Sequence, residues 1–115
     1  MGSTGGVLFD IDGVLVTAWK PVPGAAETLE YLDSKDIARA FLTNTTSKTR
    51  GQIAELLTAA GMPVHADEIV TAASLTADHL RETYPGARTV LINNGDIAGD
   101  MPLHERFLTL TGAAA

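Results

Sequence analysis

The sequence predicts an α/β fold, Rossmann-like, with a mainly parallel sheet between helical layers. Three observations predict it. Short apolar runs alternate with helix-period segments along the chain. Carboxylates and hydroxyls stand where those apolar runs end, at the rim where open parallel sheets take ligands. Finally, 115 residues suit one domain with a sizeable core.

The elements follow in order. Val7 to Phe9 is a short apolar strand that runs into Asp10. In "VTAWKPVPG" the residues Pro21, Pro23 and Gly24 break regular structure. Ala25 to Ser34 places Ala26, Leu29, Tyr31 and Leu32 near helical spacing. "SKD" is a turn, and Ile37 to Thr43, "IARAFLT", is the second strand. Thr46 or Ser47 caps a helix whose apolar positions are Ile53, Leu56, Leu57 and Ala60, and Gly61 ends it. "MPVHADEIV" carries an extended segment that ends at Ile69 and Val70. Ser74 to Arg81 is a further helix, and "ARTVLINNGD" is a strand entering an Asn-Gly turn. The pattern fades after Asp100, and "TGAAA" reads as a frayed end. A break between units is expected near Ala72.

The bulk composition narrows the function. Eight Lys and Arg against fourteen Asp and Glu give a net charge of −6. Nucleic acids and anionic membranes need a cationic footprint, so neither is an expected partner. A bound cation still lets such a protein take an anionic substrate. Cysteine is absent, which excludes disulfides and thiolate zinc sites and is compatible with a cytoplasmic setting. No apolar run is long enough for a membrane span, and "MGSTGG" lacks the pattern of a signal peptide.

The stretch "VLFDIDGVL" concentrates the chemistry. Asp10 and Asp12 repel each other, so folding alone gives little reason for the pair. Thr43 and Asn44 end the neighbouring strand in the same way. Asp10 can attack a phosphorus centre as nucleophile. Asp12 can give a proton to the leaving oxygen and take one from water. Gly13 lets the chain turn away. The Thr43 hydroxyl and the amides about Asn44 can hold phosphate oxygens. Magnesium, an oxygen-seeking ion, suits a site that brings a carboxylate to a phosphate. The plain alternative is that Asp10 and Asp12 are turn or cap residues. A calcium loop fails, because Val14, Leu15 and Pro21 stand where ligands or glycine are needed, and no nucleotide-binding glycine loop follows the strand. A phosphorelay receiver domain wants its acceptor aspartate after the third strand, where this chain has "TAAS".

The same residues carry a family resemblance. "FDIDGVLV" resembles motif I of the haloacid dehalogenase superfamily, D-x-D-G-[TV], and "FLTNTTSKTR" resembles its motif II. "PVPGAAETLEYL" and "IAELLTAAGMPVHADEIVTAASLTADHL" are similar to the subclass of NagD-like and 4-nitrophenylphosphatase-like enzymes. The similarity runs from Val7 to Asp100. It implies a magnesium-dependent phosphate-monoester hydrolase of small phosphorylated metabolites. Asp10 becomes an aspartyl phosphate and Asp12 is the acid and base. The Asp10 carboxylate and the Asp12 main-chain carbonyl hold magnesium, while Thr43 and Asn44, with Gly13 at the turn, bind the phosphoryl group. The lysine of motif III and the acidic pair of motif IV are not reached. By resemblance, residues 1–72 are the first half of the core and 73–115 open the inserted cap. The expected alternative is a catalytically incomplete chain that self-associates as a homodimer or strand-exchanged oligomer through an exposed first strand.

Other polar residues are weaker candidates. Trp19, in the loop after motif I, is expected as a half-buried packing residue or a substrate contact. His65, His79 and His104 lack ligand spacing and are read as surface or packing residues. Lys48 and Arg50 flank motif II, either attracting phosphate or forming a solvated first helical turn. Asn93, Asn94 and Gly95 are read as a structural turn.

Overall fold

A computed structural model describes residues 5–93, 95–101 and 108–110, the last three by their backbone alone. It is a partial Rossmann-like α/β core. Strand β1 (Val7–Asp10) pairs in parallel with β4 (Arg39–Thr43), in the register Val7 to Arg39 through Asp10 to Leu42. β4 lies between β1 and β5 (Ile69–Thr71). β1 is thus an edge strand, with one neighbour among the described residues. Helix α1 (Ala25–Ser34) follows β1, and α2 (Arg50–Ala59) follows β4.

The chain divides into two compact units. One holds the residues up to Thr43 together with Gly51–Val70. The other holds Asn44–Arg50 and the chain from Thr71 onward. The first unit is built on alternation: Phe9 and Phe41 turn inward, with ring centroids 5.6 Å apart, while Leu8 and Asp10 turn outward. Phe41, Ile53, Leu57, Met62 and Ile69 are fully buried there, joined by Ile11, Leu15 and Leu29. Leu29 and Leu32 share the buried stripe of α1 with Ala25, while Tyr31, expected among its apolar positions, is 58% exposed.

α2 ends as its sequence predicts. Gly61 takes a left-handed φ of 90°, while the Met62 N–H reaches the Leu57 carbonyl at 2.9 Å and the Gly61 N–H reaches Thr58 at 3.0 Å. This paired closure satisfies carbonyls that the helix end leaves open.

Several boundaries differ from expectation. β4 starts at Arg39, not Ile37, because the Ile37 N–H is spent closing α1, on the Leu32 carbonyl at 3.0 Å. α2 starts at Arg50, so neither Thr46 nor Ser47 is adjacent to its first turn. The prolines do not abolish order: β2 (Val16–Thr17) and β3 (Lys20–Pro21) form a hairpin, turned by Ala18 and Trp19, both with positive φ. Trp19 is half-buried and packs against the first unit's core, the packing role expected of it.

In the second unit, α3 (Ala72–Thr83) starts two residues earlier than its periodicity suggests. Thr71 Oγ1 accepts the Ser74 N–H and Ser74 Oγ accepts the Thr71 N–H, both at 2.9 Å, a reciprocal cap that fixes the start. Ala73 and Ala77 of α3 pack with Ile97 and Met101. β6 (Val90–Ile92) pairs in parallel with β7 (Leu108–Leu110), a strand that lies beyond the point where the sequence pattern fades. The Asn-Gly turn includes Asn94, and the end "TGAAA" and His104 also fall outside the described residues. No helix among the described residues is long and apolar enough to cross a membrane.

Candidate active site

The end of β1, which is half-exposed and not the fully buried strand its apolar run suggests, shows how two carboxylates come to face solvent on either side of a buried residue. Phe9 and Ile11 are held inward, Ile11 being fully buried, so Asp10 and Asp12 on either side of Ile11 are exposed. Asp10 Oδ1 accepts the Ile11 N–H at 2.8 Å, which orients the carboxylate at the strand end. The chain then turns tightly. Gly13 has a φ of 82° and donates its N–H to the Val16 carbonyl at 2.8 Å, while the Leu15 N–H returns to Ile11 at 2.9 Å. A side chain at position 13 would be strained by that φ, which explains the glycine. Asp12 bridges to Val16 within the same turn.

The register decides which groups share this rim. Asp10 stands level with Leu42, and Thr43 is the next residue. Thr43 is buried and is the last residue of β4, at the same end of the sheet as Asp10. The first unit therefore brings Asp10, Asp12, Gly13 and Thr43 to one end of two parallel strands. Asn44, exposed and next in the chain, opens the Asn44–Arg50 segment and belongs to the second unit.

Magnesium prefers oxygen donors and keeps several waters. The donors at the end of β1, two exposed carboxylates and main-chain carbonyls, fit that preference. Among the described residues no group of three His, Cys, Asp or Glu gathers for a metal ion.

Other polar residues are engaged elsewhere. Arg50 opens the first turn of α2, as one of its two readings expects, with its side chain 37% exposed and its Nε 3.2 Å from Asp100 Oδ1. His65 donates its backbone N–H to Glu68 Oε2 at 2.9 Å, and His79 lies edge-on to Tyr84. Asp100 was not singled out by the sequence. Its partner is fifty positions away, and no local pattern marks such a contact.

Comparisons with known proteins establish the family. The family model described as haloacid dehalogenase-like hydrolase matches residues 7–102. The chain belongs to the haloacid dehalogenase-like hydrolase family. Among its relatives, an acid sugar phosphatase of Staphylococcus saprophyticus is 31% identical over 91 residues, covering 79% of this chain and 35% of that protein. NagD from Escherichia coli K-12 superposes with a TM-score of 0.75 at 31% identity, over 88% of this chain and 40% of NagD. A hypothetical protein of Pyrococcus horikoshii superposes with a TM-score of 0.78 at 28% identity, over 90% of this chain and 40% of its own. Within the haloacid dehalogenase-like hydrolases, the chain falls in the NagD-like subfamily. It spans about a third of the length of the acid sugar phosphatases it matches.

Proposed function

We propose that this chain carries the nucleophile side of a phosphate-monoester hydrolase. The observation that supports it best is the register that sets Asp10 level with Leu42 and one residue short of Thr43. In the proposed reaction an Asp10 oxygen attacks phosphorus, and the bond from phosphorus to the leaving oxygen breaks. Asp12 gives its proton to that oxygen. An aspartyl phosphate remains on Asp10. Asp12, now a carboxylate, takes a proton from a water that attacks the same phosphorus, releasing inorganic phosphate and restoring Asp10. The Thr43 hydroxyl and Asn44 hold phosphoryl oxygens, and Gly13 keeps the turn clear of the phosphate. Magnesium, held by the Asp10 carboxylate and the Asp12 carbonyl, would supply the positive charge that two anions need to approach. The substrate is a small phosphorylated metabolite, a class that the acid sugar phosphatase relatives favour. A cytoplasmic setting is compatible with a sequence free of cysteine.

Release of p-nitrophenol from its phosphate ester tests the reading. The expected result is turnover that requires magnesium and is abolished by Asp10→Asn. Turnover that survives Asp10→Asn overturns it.

A second reading has its own observation. β1 is an edge strand whose Leu8 is 64% exposed, and Leu42 beside it is also exposed. An apolar edge of this kind invites pairing with another chain. In that reading the chain is a catalytically incomplete self-associating unit, a homodimer or strand-exchanged oligomer. Gel filtration separates the two: concentration-dependent association that Leu8→Lys abolishes, with no saturable magnesium binding, favours the second.

A further inference from the structure

We propose that Asp100 is a positioning residue for the phosphoryl-binding loop, which it pins to the segment Gly95–Met101. The proposal rests on the phosphatase reading, in which Asn44 holds a phosphate oxygen. All of its contacts lie within the second unit.

Asp100 is a carboxylate with a side chain only 7% exposed. A buried carboxylate is costly unless its oxygens are partnered. Both are: Oδ2 accepts the backbone N–H of Arg50, and Oδ1 accepts from Arg50 Nε at 3.2 Å. Arg50 is the first residue of α2, whose opening N–H groups have no partner within the helix. Asp100 thus does what a local cap was expected to do, from fifty residues away.

A second contact secures the same loop by a different means. Gly95 lies against the Ser47 carbonyl so closely that any Cβ at position 95 would overlap that backbone. Gly99 lies near the Thr49 methyl group, where a Cβ at position 99 would be 3.7 Å away. Positions 95, 99 and 100 therefore meet positions 47, 49 and 50 in the same order.

The holding segment is itself braced. Asp96 Oδ1 accepts the Ala98 N–H at 3.1 Å, and the Met101 N–H returns to Ile97 at 3.0 Å. Ile97 and Met101 are buried against Ala73 and Ala77 of α3. The loop that begins at Asn44 is thus bonded at its far end to a structure mounted on α3. Its near end is joined to the last residue of β4. A loop bonded at its far end has fewer conformations to lose when Asn44 meets a ligand, and such preorganisation is lost when that end is freed.

The test uses the full chain, with Asp100→Ala, Asp100→Asn and Gly95→Ala. Two measurements are made on each: amide hydrogen exchange at Arg50 and Phe41, and magnesium-dependent hydrolysis of p-nitrophenyl phosphate. In Asp100→Ala the Arg50 amide should lose at least tenfold in protection while Phe41 keeps its own. KM should rise about tenfold in Asp100→Ala and Gly95→Ala, less in Asp100→Asn, with kcat changed less than threefold and the pH profile unmoved. A purely structural loss would lower kcat through a smaller active fraction and leave KM unchanged, and that result overturns the proposal. Retained Arg50 protection in Asp100→Ala also overturns it, whatever the activity. A wild-type chain with no hydrolysis sinks the phosphatase reading, and with it the phosphoryl role of the loop; the exchange result still decides the Asp100 contact on its own.

Discussion

Asp10 and Leu42 are partners across the parallel β1–β4 ladder, so that Thr43, one step further, ends its strand where Asp10 ends the other. Thr43 is almost wholly buried, unlike Asp10, which makes its hydroxyl a placed group and not a surface one. If that hydroxyl holds a phosphate oxygen, Thr43→Val keeps the shape and removes the donor. The expected loss in kcat/KM is about 100-fold or more, as for other preorganised donors. Thr43→Ser keeps the hydroxyl and should stay within about tenfold. Steady-state kinetics of the pair, with urea melts to show both are folded, checks this.

Asp12 is assigned two tasks, and a good leaving group separates them. Nitrophenolate departs without a proton, so Asp12→Asn should still transfer the phosphoryl group to Asp10. The second step, which needs a base to take a proton from water, should stall. A stopped-flow trace should then show a burst near one equivalent of nitrophenol per chain, followed by turnover slowed by about 100-fold to 10,000-fold. Equal loss of burst and steady rate would remove Asp12 from the acid-base role.

The strand-helix order and the carboxylate pair were legible because their signals are local. The apolar run Val7 to Phe9 ending in Asp10 marks a strand, though not that Leu8 faces outward, and the 3.6 period marks Leu29 and Leu32. The features that escaped have distant or unmarked causes. β7 owes its place to pairing with β6, many residues earlier. Asp100 caps a helix that starts fifty positions before it. The β2–β3 hairpin turns on Ala18 and Trp19, with φ of 50° and 64°, where the usual sequence signal would be Asn-Gly.

That hairpin offers a stability test. Left-handed backbone costs an alanine about 1 kcal/mol, and asparagine tolerates it better. Trp19 packs against the core and is best left alone. Ala18→Asn should therefore stabilise the chain by roughly 0.5–1 kcal/mol. Urea denaturation should show a raised midpoint with an unchanged slope. A lowered midpoint would mean that the Ala18 methyl contributes more than its backbone strain costs.

The far end of β4 carries a charge cluster whose pH response has a definite sign. Arg39 Nε lies 3.2 Å from Glu68 Oε1, its Nη2 donates to the Pro63 carbonyl at 2.8 Å, its Nη1 lies 3.5 Å from Asp33 Oδ2, and its head stands 5.6 Å from the centre of the Phe41 ring. Burial of Glu68 would raise its pKa, but the bond from the His65 N–H and the Arg39 bond and charge outweigh it, so Glu68 lies below its ordinary value. The folded chain thus binds that proton more weakly than the unfolded one. The stabilisation is complete above the unfolded pKa and is lost as pH falls through the folded one. Glu68→Gln removes the charge and leaves Arg39, whose side chain is 10% exposed, with a weaker partner. At neutral pH the variant should be less stable by about 1.5–3 kcal/mol, the range for a hydrogen bond to a charged group. Urea midpoints of the two proteins should converge as pH drops below the ordinary carboxylate range. A difference that stays constant to low pH would show that Glu68 acts through its shape and not its charge.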